Sequence, residues 1–149
     1  MPQTTSAISF KDAKIEISAN GSSWTDMSGF SNKVEVGGGE RQSAEFFTAL
    51  GDTPILTIGK RGTFEITSNV VYTEGGGEPS EMVRAAYENA TNLYLRWSPK
   101  GGTSGQFMFT SGPGYVLSPS YPGGDASTPD VIAIEFTLKT LSITKSVVT

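Results

Sequence analysis

Gly62-Thr63-Phe64-Glu65-Ile66-Thr67-Ser68-Asn69-Val70-Val71-Tyr72-Thr73 sets the fold class. Successive side chains of an extended strand point to opposite faces. Phe64, Ile66, Val70 and Tyr72 therefore share one face, and Thr63, Glu65, Thr67 and Asn69 share the other. An apolar face backed by a polar one is the mark of a strand lying over a core with its back to solvent. A run of this length spans a whole sheet. Val131 to Ile143 repeats the pattern near the end of the chain. There Ile132, Ile134, Phe136 and Leu138 keep one phase, whereas Leu141 and Ile143 keep the other. The slip near Lys139-Thr140 predicts a β-bulge or a strong bend.

Shorter strands surround these two. Ile8 and Phe10 begin an alternation that Ile15 and Ile17 continue through Lys14 to Ser18. Asn20-Gly21 predicts a tight hairpin turn, since both residues tolerate positive φ. From Asn32 to Val36, Val34 and Val36 oppose Lys33 and Glu35. Leu93, Leu95 and Trp97 alternate with Tyr94, Arg96 and Ser98. Pro99-Lys100-Gly101-Gly102 then turns the chain into Gln106 to Thr110, with Phe107 and Phe109 on one face. Residues 112–130 read as a loop rich in Gly, Pro and Ser.

One helix is expected, over about residues 80–90. Ser80 suits its N-cap, Glu81 its first turn, and Val83, Ala86, Tyr87 and Ala90 recur at helical spacing. The sum is a mostly-β single domain over residues 1–149, with a polar N-terminal arm at residues 1–6. A β-sandwich or partly closed β-barrel with one flanking α-helix follows from that pattern.

Residues 37–61 do not fit a simple domain. Gly37-Gly38-Gly39 opens the stretch, and Phe46, Phe47, Leu50, Ile55, Leu56 and Ile58 crowd its middle. That is more apolar side chain than a free solvated loop carries. Two readings stand: a hairpin folded back into its own core, or a long extended arm buried against another subunit, as stacking assemblies require.

Composition narrows the chemistry. The chain of 149 residues contains no Cys and no His. Disulfides, thiolate metal sites and Cys nucleophiles are thereby excluded, and the commonest general base and metal ligand are missing. The acidic residues are scattered through turns and polar strand faces, so no catalytic carboxylate pair stands out. The triplets 37–39 and 75–77 lack the Lys-Ser/Thr of a phosphate loop, and Glu74 and Glu78 flank the second with the wrong charge. No catalytic, cofactor or metal residue is therefore assigned, and a non-enzymatic protein is expected. The net charge of −4 argues against a grip on phosphate backbones. Met1-Pro2-Gln3-Thr4-Thr5-Ser6 resembles no signal peptide, and no apolar run is long enough to span a membrane. A product of the cytoplasm is expected.

Particular segments carry a resemblance. Residues 51–62, Gly-Asp-Thr-Pro-Ile-Leu-Thr-Ile-Gly-Lys-Arg-Gly, run into Thr63-Phe64-Glu65-Ile66-Thr67. Val83-Arg84-Ala85-Ala86-Tyr87-Glu88 is followed by Leu93-Tyr94-Leu95-Arg96-Trp97-Ser98-Pro99-Lys100-Gly101. Together with Gly21-Ser22-Ser23-Trp24-Thr25-Asp26, these stretches resemble the major tail, or tail tube, proteins of long-tailed bacteriophages, from Ile15 to Gly102 and more weakly beyond.

The resemblance implies a structural protein of the virion tail. Its subunits would form hexameric rings that stack into a hollow tube, and tape measure and tail terminator proteins would meet the tube ends. The 37–61 arm would then lock ring to ring through Phe46, Phe47, Leu50, Ile55, Leu56 and Ile58. Glu65 and Glu135 would line the lumen and repel DNA, which passes without specific binding. Two other readings remain open: a different ring protein of the tail or neck, of the tail completion type, and a carbohydrate-binding β-sandwich module using Trp24 or Trp97.

Overall fold

The computed structural model describes residues 2–149. Met1, the first residue of the expected 1–6 arm, lies outside them. The rest of that arm is exposed and without regular structure up to a short 3-10 turn at Phe10–Asp12.

Twelve elements follow in chain order: β1 Lys14–Ser18, β2 Thr25–Asp26, β3 Val34–Gly38, β4 Arg41–Phe46, β5 Ile55–Arg61, β6 Phe64–Val71, α1 Pro79–Glu88, β7 Tyr94–Ser98, β8 Phe107–Ser111, β9 Gly114–Val116, β10 Ala133–Thr140 and β11 Ile143–Val147. Two sheets form the body. One has the order β11-β8-β7-β1-β2, the other β3-β6-β10-β9. Neither closes into a barrel, so the open two-sheet reading holds.

The two long strands foreseen from their alternation pair with each other. β6 and β10 run antiparallel over eight residue pairs, from Phe64↔Thr140 to Val71↔Ala133. The alternation maps onto burial as expected. Ile66, Val70, Ile134, Phe136 and Leu138 enter the core, while Glu65, Glu135 and Lys139 stay in solvent. Ile15, Ile17, Leu95 and Trp97 from the five-stranded sheet join the same core, with Val83 and Ala86 of α1 and Met27 from the chain after β2. One continuous apolar interior, removed from water, holds both sheets and the helix together.

Four details depart from the sequence reading. The continuous strand expected over Val131 to Ile143 is two strands in different sheets. The phase slip is the crossover: the chain leaves the β6 side at Thr140, turns at Leu141-Ser142, and pairs with β8 from Ile143↔Ser111 onward. Asn20-Gly21 is not a two-residue turn but part of a longer β1–β2 connection, since Ile17 pairs with Thr25. There the Asn20 side-chain oxygen accepts from the backbone N–H groups of Ser22 and Ser23, closing the bend locally.

Ser80 is not the N-cap either. Glu78 holds that position and Pro79 opens the helix. The Ser80 hydroxyl instead donates to the Thr73 carbonyl at 3.1 Å, tying α1 to the end of the β6 run. Finally, Gly37 and Gly38 do not break β3; both pair with β6, through Gly37↔Glu65 and Gly38↔Phe64.

The outer face of the five-stranded sheet carries a stacked trio. Arg96 donates to both carboxylate oxygens of Glu16, at 3.0 and 3.1 Å, and lies 4.3 Å over the ring centre of Trp24. Glu16 is thereby buried on a sheet face that would otherwise read as solvent-facing. A bidentate guanidinium–carboxylate pair is strong when shielded from water, and its loss leaves the carboxylate with only Lys14, at 4.0 Å. Arg96→Ala is expected to lower unfolding stability by about 1–3 kcal/mol. Urea unfolding followed by tryptophan fluorescence checks it. Recovery in Glu16→Met/Arg96→Met would attribute the loss to the orphaned carboxylate.

Candidate assembly interface

Of the 37–61 segment, Gly37 and Gly38 belong to β3, and the rest holds β4 and β5, which pair only with each other and form a third, two-stranded sheet. It is not a core hairpin. Phe46, Phe47, Leu50, Ile55, Leu56 and Ile58 are all exposed, Leu50 completely and Phe46 at 68 %.

The hairpin is the outward continuation of β3 and β6. Gly39 N–H donates to the Thr63 carbonyl at 2.8 Å, and Gly62 N–H donates to the Glu40 carbonyl at 2.8 Å, so the ladder carries on across the root. Its direction changes at Gly38 and Gly39, both at positive φ, +76° and +72°. A Cβ on Gly38 would strike the Thr63 carbonyl oxygen, and one on Gly39 would strike the Phe64 ring. Only glycine accepts this conformation and this proximity at both positions.

Register decides which arm residues share a face. Directly opposed residues of an antiparallel pair lie on the same side. Phe46↔Ile55 and Ala44↔Thr57 make one face; Glu45↔Leu56 and Ser43↔Ile58 make the other. Nearer the root the register shifts between Arg41 and Ser43. Each face of the arm therefore presents bulky apolar side chains, and Phe47 and Leu50 add more at the tip. The hairpin is apolar on both faces, and its large apolar side chains stay exposed on both.

The second set of expected residues, Glu65 and Glu135, lies on the open face of the four-stranded sheet. They are not adjacent. Glu65 stands opposite Lys139 in register, and Glu135 opposite Asn69. Glu135 also pairs with Lys33 at 3.3 Å. Counting Glu35, Glu65 and Glu135 against Lys33 and Lys139, three negative charges against two positive leave a net −1 on this face. The face is weakly negative and finely mixed rather than uniformly acidic. Thr67 and Thr137, hydrogen-bonded at 3.2 Å, fill its middle. Tyr115 and Leu117, exposed beside β10, add an apolar margin that the loop-like reading of residues 112–130 missed.

On α1, Arg84 bonds both Glu81 and Glu88. Its guanidinium holds the Glu81 carboxyl below the ordinary carboxylate range. These neighbours at i+3 and i+4 form a self-satisfied helix surface. Among the described residues no group of three or more metal-ligating side chains stands together, and no helix is long and apolar enough to cross a membrane.

The two-sheet body, flanking helix and protruding hairpin together match solved structures across nearly the whole chain. A chain of an extracellular contractile injection system, the PVC sheath–tube complex in its extended state, superposes with a TM-score of 0.70 at 16 % identity, covering 97 % of this chain and 94 % of that one. The tail of an empty GTA particle gives a TM-score of 0.68 at 13 % identity, over 96 % of this chain and 100 % of that one. The SPP1 tail tube gives 0.63 at 16 % identity, over 95 % and 80 %. The fold is that of the tail tube proteins. This chain matches no protein-family model and no curated protein. The likeness is one of fold at low identity, and the hairpin is the part of this fold whose large apolar side chains stay exposed.

Proposed function

We propose that this chain is the tube-forming subunit of a phage-type tail: a non-enzymatic virion protein that needs no cofactor, assembles into stacked rings and encloses a channel for DNA. One observation carries the reading. The β4–β5 hairpin exposes Phe46, Phe47, Leu50, Ile55, Leu56 and Ile58 on a domain whose own core is complete without them. Each such side chain stabilises by about 1.5–3 kcal/mol when fully buried, so a sister subunit that covers the hairpin gains substantially at every contact.

Six subunits per ring is the expected number, since the GTA tail of the same fold has C6 symmetry. The open face of the four-stranded sheet, with Glu65 and Glu135, is the proposed lumen lining. Its slight negative charge, with few cations, disfavours lasting contact with phosphates. Terminator and tape measure proteins are the expected partners at the tube ends; structures of a sheath/tube terminator and of a tube terminating cap are among the fold's neighbours.

Trp24 lies under Arg96 and Trp97 is buried beside Phe109 at a centroid distance of 6.1 Å. Neither presents a free ring to a sugar, which weakens the carbohydrate-binding alternative. A completion or neck protein would stop at a single ring. Electron microscopy of the concentrated purified protein is expected to show filaments of variable length with a central hole. Single rings would favour the neck reading, and monomers under every condition would refute assembly altogether.

A further inference from the structure

Strand β6 separates two poles of the molecule. At its Phe64 end the chain departs into the arm. At its Val71 end, about 23 Å away at strand rise, lies the segment 123–132, held by the Tyr72 N–H donating to the Ile132 carbonyl at 2.9 Å.

The poles are opposite in net charge: Arg41, Lys60 and Arg61 outnumber Glu40 at the arm root, and Asp125 and Asp130 stand at the other pole. At the arm root Arg41 and Arg61 face each other directly, with Lys60 beside them. Among the described residues none of the three forms an ion pair with a carboxylate. Like charges opposed across a ladder destabilise it, so an anion supplied from outside would relieve the arm root. At the far pole a groove of about 490 Å³ is lined by Gly123, Asp125, Ala126, Asp130, Val131 and Ile132 among others. Val131 is 73 % exposed there, and neither aspartate has a cationic partner. The Asp125 carboxylate keeps one oxygen on the Ser127 N–H and hydroxyl, which leaves the other free.

We propose that the 123–132 groove of one copy receives the β4–β5 arm of a second copy. Val131 and Ile132 cover apolar arm residues, and Asp125 and Asp130 meet Lys60, Arg41 and Arg61. The occupant is another copy of this chain because the match is double: the arm is apolar with a basic root, and the groove is apolar with an acidic rim. The two lie at opposite ends of the strand axis, so the contact is head-to-tail and repeats without closing, which generates a polymer. β5 alone is about 20 Å long, sufficient to reach past the pole into a stacked neighbour. The inference rests on the tube reading above and supplies its receiving surface.

Charge exchange tests it. Lys60→Glu/Arg61→Glu and, separately, Ala126→Lys/Asp130→Lys are expected to keep the wild-type circular dichroism, to unfold at a midpoint no lower than the wild type, and to reduce sedimentable polymer at least tenfold. A chain bearing all four substitutions restores complementarity at every interface and is expected to polymerise again. Wild-type polymer is expected to decline as salt is raised, since exposed charges are screened. The chain contains no native cysteine, so Lys60→Cys/Ala126→Cys provides a second readout: oxidised tubes should give a ladder of covalent oligomers.

Normal polymer from Ala126→Lys/Asp130→Lys, continued loss in the fourfold variant, or tubes of the cysteine variant that yield only monomer would each overturn the groove assignment and leave the tube reading standing. A wild-type chain that never forms tubes overturns both.

Discussion

Phe46→Asp/Phe47→Asp is expected to abolish polymerisation while leaving a monomer as stable as the wild type. Both side chains are exposed, at 68 % and 60 %, and neither belongs to the core shared by the two sheets and α1. Replacing them removes nothing that the isolated fold buries. On a covered arm the same change places two carboxylates in an apolar contact, where a buried unpaired charge costs several kcal/mol. Around a ring the cost repeats at each subunit. Analytical ultracentrifugation and negative-stain microscopy measure the polymer, and chemical unfolding measures the monomer. Tubes of ordinary length from this variant would mean that the hairpin has another task; a lowered unfolding midpoint would mean that it contributes to its own domain after all.

The second large effect is expected at the arm root. Gly38→Ala forces a Cβ against the Thr63 carbonyl oxygen in a left-handed conformation that L-residues seldom adopt. The obstacle is backbone and cannot swing aside. Strain of about 1–3 kcal/mol is expected, together with a change in the direction in which β4 and β5 leave the body. At Gly39 the obstacle is the Phe64 side chain, over which Arg61 also sits at 5.6 Å, so Gly39→Ala should perturb less. Gly29→Ala is the control, because it meets no atom within 4 Å and needs no positive φ. The expected order of lost polymer is Gly38→Ala, then Gly39→Ala, with Gly29→Ala unaffected. Hydrogen exchange on arm amides separates re-aiming from unfolding: amides of the β6–β10 ladder should stay protected in all three. Equal polymer from Gly38→Ala and the control would show that arm direction is unimportant.

Much of this architecture is legible in the residues themselves. Alternation in Phe64–Val71 and Ala133–Thr140 announces two half-buried strands because one face of each truly meets a core and the other meets solvent. Val83 and Ala86 announce the helix for the same reason. The surplus of apolar residues between Phe46 and Ile58 announces the arm, since nothing in a solvated loop requires them.

What the sequence hides is set by non-local contacts. Leu141 and Ile143 show a phase change, but a bulge and a crossing between sheets produce the same change; only pairing with β8 decides. Gly37 to Gly39 look like a flexible break, whereas two of them pair with β6 and two hold a fixed bend. Ser80 suits a cap by type, yet Thr73 competes for its hydroxyl. That both faces of the arm are apolar follows from the adjacency of Ile55 and Leu56 on one strand, but only the register Phe46↔Ile55 shows which face Phe46 joins. The partial neutralisation of Glu135 by Lys33 likewise joins strands that are far apart in the chain.

The hydrogen bonds that carry β3 and β6 across the root into β4 and β5 have a mechanical consequence. A pull on the arm is delivered along the axis of β6, which is flanked on both sides, by β3 over five pairs and by β10 over eight. Loaded lengthwise, those hydrogen bonds share the force and must fail together, whereas a strand peeled from its end yields one bond at a time. A filament joined through such arms would resist stretching at the stiffest part of every subunit.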